Sequence, residues 1–191
     1  LRVLFLGTAA AEGVPGLFCG CEVCRIARER GGKDLRTRSS IFIDNIVKID
    51  LPPDTLHHVL AYRLDLSRLQ HLLITHTHAD HLALQDLTYL LPAFARRDLP
   101  LTIYGSDGLA RALSYASDEV RSALDVRVLQ PFAPYQVDRY TVIPVLAHHA
   151  RTSSVSTTLS PMARKRCCIC AIQAGIAMRH GVICRGCVWM R

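Results

Sequence analysis

No apolar run in this chain approaches the roughly 18 residues that a membrane-spanning helix needs, and the first residues, Leu1 to Leu6, carry no basic lead, long apolar core or small-residue cleavage signal. The sequence therefore predicts neither a membrane protein nor an exported one, and a cytoplasmic location is expected. The loop from Gly7 to Gly16 is glycine-rich, but its spacing fits neither the dinucleotide fingerprint nor the P-loop, which argues against nucleotide binding there. Acidic residues are absent from 151–191, which hold six Arg and one Lys. Residues 1–150 balance sixteen basic against sixteen acidic side chains, so the whole net charge of +7 belongs to the last 41 residues. Any affinity for nucleic acid that charge implies would have to act through that basic tail alone.

About half the residues are apolar, enough for a core, and the length suggests one domain or one domain with an appendage. The most informative stretch is His76-Thr77-His78-Ala79-Asp80-His81, which follows the apolar run Leu72-Leu73-Ile74. Three imidazoles and a carboxylate in six residues are hard to explain as packing. At a strand end His76 and His78, two apart, would point to one face, and Asp80 and His81 would lie on the following turn. Nitrogen and oxygen donors gathered this way suit a pair of borderline metal ions, which polarise a phosphoryl or carbonyl oxygen and generate hydroxide near neutral pH. A second cluster, Cys19-Gly20-Cys21-Glu22-Val23-Cys24, offers three thiolates that can occupy three corners of a tetrahedral zinc. In a chain without an export signal such clusters suggest metal ligands before disulfides.

The H-x-H-x-D-H segment resembles the signature of the metallo-β-lactamase superfamily of hydrolases. Gly7-Thr8 through Gly13-Val14-Pro15, followed by C-x-C-x-x-C, is similar to the opening of the phosphoribosyl cyclic phosphodiesterases of phosphonate breakdown. The pyrroloquinoline quinone biosynthesis protein opens in a similar way, so this motif does not fix a substrate. The resemblance implies an α/β fold, a metallo-β-lactamase-like αβ/βα sandwich. It further implies that Cys19, Cys21 and Cys24 hold a structural zinc completed by a histidine late in the chain. Asp50, closing a strand, would orient a ligand histidine from behind, as metal sites commonly require. His149, or failing that His148, at the end of a strand containing Pro144, would join His76 and His78 on one ion. Asp80 and His81 would hold the other, with Asp80 also placed to take a proton from bound water. Zinc is the expected ion, with manganese the alternative at the oxygen-rich second position.

Local patterns place the elements. Arg2 to Leu6 suggests a buried strand, and residues 25–38 a short helix broken at Gly31-Gly32. Ser40 to Asp44 and Ile46 to Asp50 form a strand pair around the turn dipeptide Asp44-Asn45. A helix is expected over Asp54 to Tyr62 and a strand over Leu72 to Thr75. Leu84, Leu87, Leu91 and Phe94 repeat at helical spacing, and Pro92 should kink or end that helix. A strand at Leu101 to Tyr104, a helix capped by Ser106, a strand at Val126 to Leu129 and a strand–turn–strand over Tyr135 to Ala147 complete the series. His57, His58 and His71 have no ligand-like spacing and are expected to be surface or core histidines. Strands delivering side chains at their ends, alternating with helices, suit two sheets flanked by helices.

The pattern divides the chain into a metallo-hydrolase domain over 1–150, incomplete at its C-terminal side, and an atypical basic, Cys-rich tail over 151–191. The family pattern would continue with a strand, an aspartate bridging both metals and a later histidine. The tail has no aspartate and one histidine, His180. Its content fits an altered or truncated reading of a longer gene. It also fits a small zinc module, Cys167-x-x-Cys170 and Cys184-x-x-Cys187 with 13 residues between, or an apolar surface-seeking segment from Ile169 to Val188. The function expected is a metal-dependent hydrolase, a phosphodiesterase acting on a small, cyclic phosphodiester through metal-activated water, with no membrane partner. The alternatives are a metal-binding scaffold of the same fold that turns nothing over, and a ribonuclease Z-like enzyme using the basic tail as an arm.

Overall fold

The computed structural model describes residues 1–149 and the strand at 152–161, with backbone alone for 147–149 and 152–161. Six strands form one mixed sheet in simple order: β1 (Val3–Gly7), β2 (Ser40–Ile43), β3 (Val47–Ile49), β4 (His71–Leu73), β5 (Leu101–Gly105) and β6 (Leu124–Val128). The first three run antiparallel; β3 to β6 run parallel. The helices α1 (Glu22–Arg30), α2 (Thr55–Tyr62), α3 (Asp107–Leu113) and α4 (Asp118–Ser122) lie in the connections between these strands. A second, antiparallel sheet contains β7 (Tyr135–Val137), β8 (Tyr140–His149) and β9 (Thr152–Pro161). β8 and β9 pair along ten residues each, from Tyr140 opposite Pro161 to His149 opposite Thr152. Among the described residues no helix is long and apolar enough to cross a membrane.

Strand alternation explains the layers. Successive side chains of a strand point to opposite faces, so Phe42, Leu72 and Ile103 join the core beneath the helices. Their neighbours Ile43, Leu73 and Tyr104 join the core shared with Val137, Tyr140 and Val142 of the second sheet. The β2–β3 turn has both Asp44 and Asn45 at positive φ, 46° and 59°, the backbone that a tight two-residue hairpin demands. The Tyr140 hydroxyl donates to Asp44, tying the second sheet to this turn.

Several elements differ from the sequence expectation; β1, expected to be buried, has Phe5 half exposed, and α1 starts at Glu22 and ends at Arg30. The run after the histidine motif is a 3₁₀ segment, Leu84–Leu90, in which Leu87 is buried, while Phe94 is 61% exposed. Pro92 forces Leu91 into an extended conformation, with ψ 149°, and the helical face ends before Phe94 can join it. α4 was not expected: it is short, and the Ser117 side chain caps it by accepting from the Val120 amide. The sixth strand starts at Leu124, two residues early, because its pairing to β5 begins at Leu101.

His58 is fully buried on α2, and its Nε2 lies 2.7 Å from Thr37 Oγ1. Thr37 Oγ1 donates to the Leu6 carbonyl, so it accepts from Nε2–H, and Nδ1 is left unprotonated without a hydrogen-bond partner. Burial, then the Lys48 charge, push the His58 pKa from 6.5 down to about 4, against the opposing pull of Asp54. The unfolded chain therefore takes up the proton first as pH falls. Stability held above pH 6.5 is lost between about 6.5 and 4, by up to about 3 kcal/mol at roughly 1.4 kcal/mol per pH unit. Urea unfolding across that range should be flatter in His58→Gln than in the parent; equal slopes would dismiss His58 as the source.

Candidate metal centre

The centre forms where β3 and β4 end side by side. β4 stops at Leu73, so His76 and His78 come together through the turn that follows and not through strand alternation. Their ring centroids are 4.7 Å apart; His76 is buried and His78 is exposed. The amides of His81 and Leu82 both donate to the His78 carbonyl, closing the turn. That turn is pinned to the end of β3: Leu51 N–H donates to the His81 carbonyl at 2.8 Å, and Ala83 N–H donates to the Leu51 carbonyl at 2.7 Å.

One donor atom each from His76, Asp80 and His81 lies within 4.8 Å of the other two. The His76 and His81 rings are 4.0 Å apart between centroids, and His81 Nε2 is 3.2 Å from Asp80 Oδ2. The opposite ring nitrogen, His81 Nδ1–H, donates to Asp50 Oδ2 at 2.6 Å. Asp50 is itself buried and accepts from the Thr75 amide at 2.8 Å and from the Thr75 hydroxyl at 2.9 Å. A carboxylate on Nδ1 fixes the tautomer that leaves Nε2 available as a ligand. Burial pulls the His81 pKa down, but the hydrogen bond and charge of Asp50, with the Asp80 charge, outweigh it and hold the imidazole above its ordinary value. Two imidazoles and a carboxylate converging within a few ångströms form a donor set that suits a borderline divalent ion. The side chains of His148 and His149, at the end of β8, lie outside what the structure describes, as does the late histidine expected at the cysteine cluster.

Cys19, Cys21 and Cys24 also bring their sulfurs within 4.8 Å of one another, at the start of α1. Cys24 is buried, and its sulfur accepts from the Gly16 amide at 3.3 Å. The Cys24 amide, followed by the Cys19 and Cys24 thiols, lowers the Cys21 pKa to about 7, which favours the thiolate that metals bind. The tail cysteines and His180 lie outside the described residues.

Sequence spacing did not single out Thr75, Ser40 or Lys48. Lys48 is fully buried, with Nζ 2.5 Å from Ser40 Oγ and 2.6 Å from the Asp50 carbonyl. Burial, opposed by Asp50, lowers its pKa to about 7. The available signal was a lysine in the middle of a strand flanked by Val47 and Ile49.

A model of the "Beta-lactamase superfamily domain" matches residues 41–167. The chain belongs to that family. The metallo-β-lactamase fold recurs in a diphosphatase of the PhnP family, at 24% identity and TM-score 0.65 over 83% of this chain and 61% of that one. It recurs also in zinc-bound PqqB from Methylobacterium extorquens, at 21% identity and TM-score 0.64 over 86% and 62%. In sequence the chain is similar to an octanoyltransferase of Porphyromonas gingivalis, 29% identical over 85% of this chain and 34% of that protein. It is also similar to ribonuclease Z of Geobacillus kaustophilus, 26% identical over 80% of this chain and 47% of that protein. The chain thus spans between a third and two thirds of the length of each.

Proposed function

We propose that this chain is a metal-dependent hydrolase that cleaves phosphodiesters. The observation that carries the reading is the convergence of His76, Asp80 and His81, with Asp50 holding His81 by its far nitrogen. His76, with His78 and His149, would hold one divalent ion, and Asp80 and His81, which converge with His76, would hold the other. Zinc or manganese there would polarise the phosphoryl oxygen and lower the pKa of water. Asp80, part-buried and within reach of His81, is placed to accept a proton from the attacking water. Cys19, Cys21 and Cys24 would hold a separate, structural zinc. Hydrolysis at phosphorus is supported by the similarity to a PhnP-family diphosphatase, and the diester preference by the similarity to a ribonuclease Z.

The test is metal content and turnover of the 191-residue chain. The expected result is metal beyond one thiolate-bound zinc per chain, with hydrolysis of bis(p-nitrophenyl) phosphate that a chelator abolishes and added Zn²⁺ or Mn²⁺ restores. A single zinc held by the cysteines, with no turnover, would instead establish a scaffold. Salt-sensitive RNA binding that disappears on deletion of 151–191 would move the reading to a ribonuclease Z-like enzyme.

A further inference from the structure

On the face of the sheet that packs beneath the helices, β2 presents Phe42 and β4 presents Leu72, and between them β3 presents a lysine. Lys48 lies in register with Phe42 on β2 and Leu72 on β4, both buried in that core. Pattern alone would put a leucine or valine there. A buried lysine is costly unless its donors are satisfied, and here the acceptors are specific. Nζ donates to Ser40 Oγ and to the backbone carbonyl of Asp50. The Ser40 hydroxyl lies 2.9 Å from the Ile49 carbonyl and 3.2 Å from the Asp50 carbonyl, so it shares its one proton between them. On the other side of the residue, the Asp50 amide donates to the Leu73 carbonyl at 2.8 Å.

Asp50 has φ +59°, the left-handed region that side chains other than glycine seldom adopt. Both peptide groups flanking it are thus tied to neighbouring strands while its backbone is turned. From that turn its carboxylate reaches Thr75 and His81 Nδ1 at once. An extended backbone at this position would continue strand alternation and send the carboxylate elsewhere.

We propose that Lys48, together with Ser40, is a positioning residue of the metal centre: by holding the Asp50 carbonyl it keeps Asp50 in the left-handed conformation from which its carboxylate orients His81. The inference rests on the proposed metal role of His81. An amine keeps two N–H donors when neutral, so the clamp persists in either protonation state.

Lys48→Met leaves an unbranched apolar side chain one atom shorter and removes both donors; Ser40→Ala removes the shared hydroxyl with little change of volume. Two readouts are followed in the full chain: zinc affinity by competition with a chromophoric chelator, and the His81 Nδ1–H signal by proton–nitrogen NMR in metal-free protein. Lys48→Met is expected to weaken zinc binding at the histidine site about 10-fold, the scale of a lost supporting contact. It should also broaden or abolish the Nδ1–H signal, leaving the cysteine-bound zinc unchanged. Ser40→Ala should shift both readouts in the same direction by less, and it decides the matter should Lys48→Met not fold. Lower thermal stability with unchanged zinc affinity and an unchanged His81 signal would overturn the proposal, since Lys48 would then only fill the core. A parent protein that binds no zinc through its histidines would defeat the proposed function instead. In that case the NMR signal still reports whether Lys48 holds Asp50.

Discussion

Asp50→Ala is expected to cost about 3–5 kcal/mol of stability, the range for removing one partner from a buried ionic contact, and to weaken metal binding at the histidines by about 10- to 100-fold. The two losses have one origin. The Asp50 carboxylate is the acceptor for the Thr75 amide, the Thr75 hydroxyl and His81 Nδ1–H, and both Asp50 and Thr75 are buried. Truncation leaves these donors without an acceptor in a place that water does not readily reach, and each buried unsatisfied group costs roughly 1–3 kcal/mol. It also frees the His81 ring to rotate and exchange tautomers, so the nitrogen facing Asp80 is no longer fixed. Urea unfolding in the presence of a chelator measures the first effect, and zinc competition the second. Asp50→Asn keeps an acceptor for Thr75 and should recover part of the stability but little of the metal affinity. Unchanged stability in Asp50→Ala would show that the carboxylate contributes nothing to the packing of the β3 and β4 ends.

His81→Ala is expected to lower phosphodiester turnover by at least about 10²-fold, the upper end of what losing even a supporting partner of a metal site costs, because His81 would itself hold the ion that activates water. His81 lies between two carboxylates, with Asp50 on Nδ1 and Asp80 beside Nε2, and its ring is 4.0 Å from that of His76. Its removal deletes a donor and leaves Asp50 with a bare carboxylate. His57→Ala is the matched control. His57 is exposed on α2 and touches none of these groups, so its turnover should stay within about two-fold of the parent, as for ordinary surface changes. Steady-state hydrolysis of bis(p-nitrophenyl) phosphate under saturating Zn²⁺ or Mn²⁺ separates the two variants. Equal activity in both would remove His81 from the mechanism.

Much of this arrangement could be anticipated locally. The unbroken apolar pairs Phe42-Ile43 and Leu72-Leu73 suit strands buried on both faces, and each face does join its own core. Asp44-Asn45 predicts a tight hairpin, and both residues have the positive φ that it needs. Ser106 predicts a helix start, and its side chain accepts from the Gly108 amide. The run from Leu84 to Phe94 was less legible, because a 3.6-residue period is indistinguishable in sequence from a tighter 3₁₀ turn until the proline and the packing decide between them. Asp54 is a similar case. The helix expected from Asp54 starts at Thr55, and the Asp54 carboxylate accepts from the Arg38 amide and pairs with the Arg38 guanidinium at 3.1 Å.

The sequence by itself determined the chemical inventory: imidazoles and a carboxylate spaced within six residues, three thiols at C-x-C-x-x-C spacing, and an aspartate at the close of a strand. Those are short-range facts, set by how far apart residues lie along the backbone. Only the tertiary structure decided that Asp50 meets Thr75 and His81 across separations of 25 and 31 residues, and that a lysine in the core reaches around to grip the Asp50 carbonyl. Such contacts depend on which strands become neighbours and on the register they take, and both are settled by burial of the whole core rather than by any local preference.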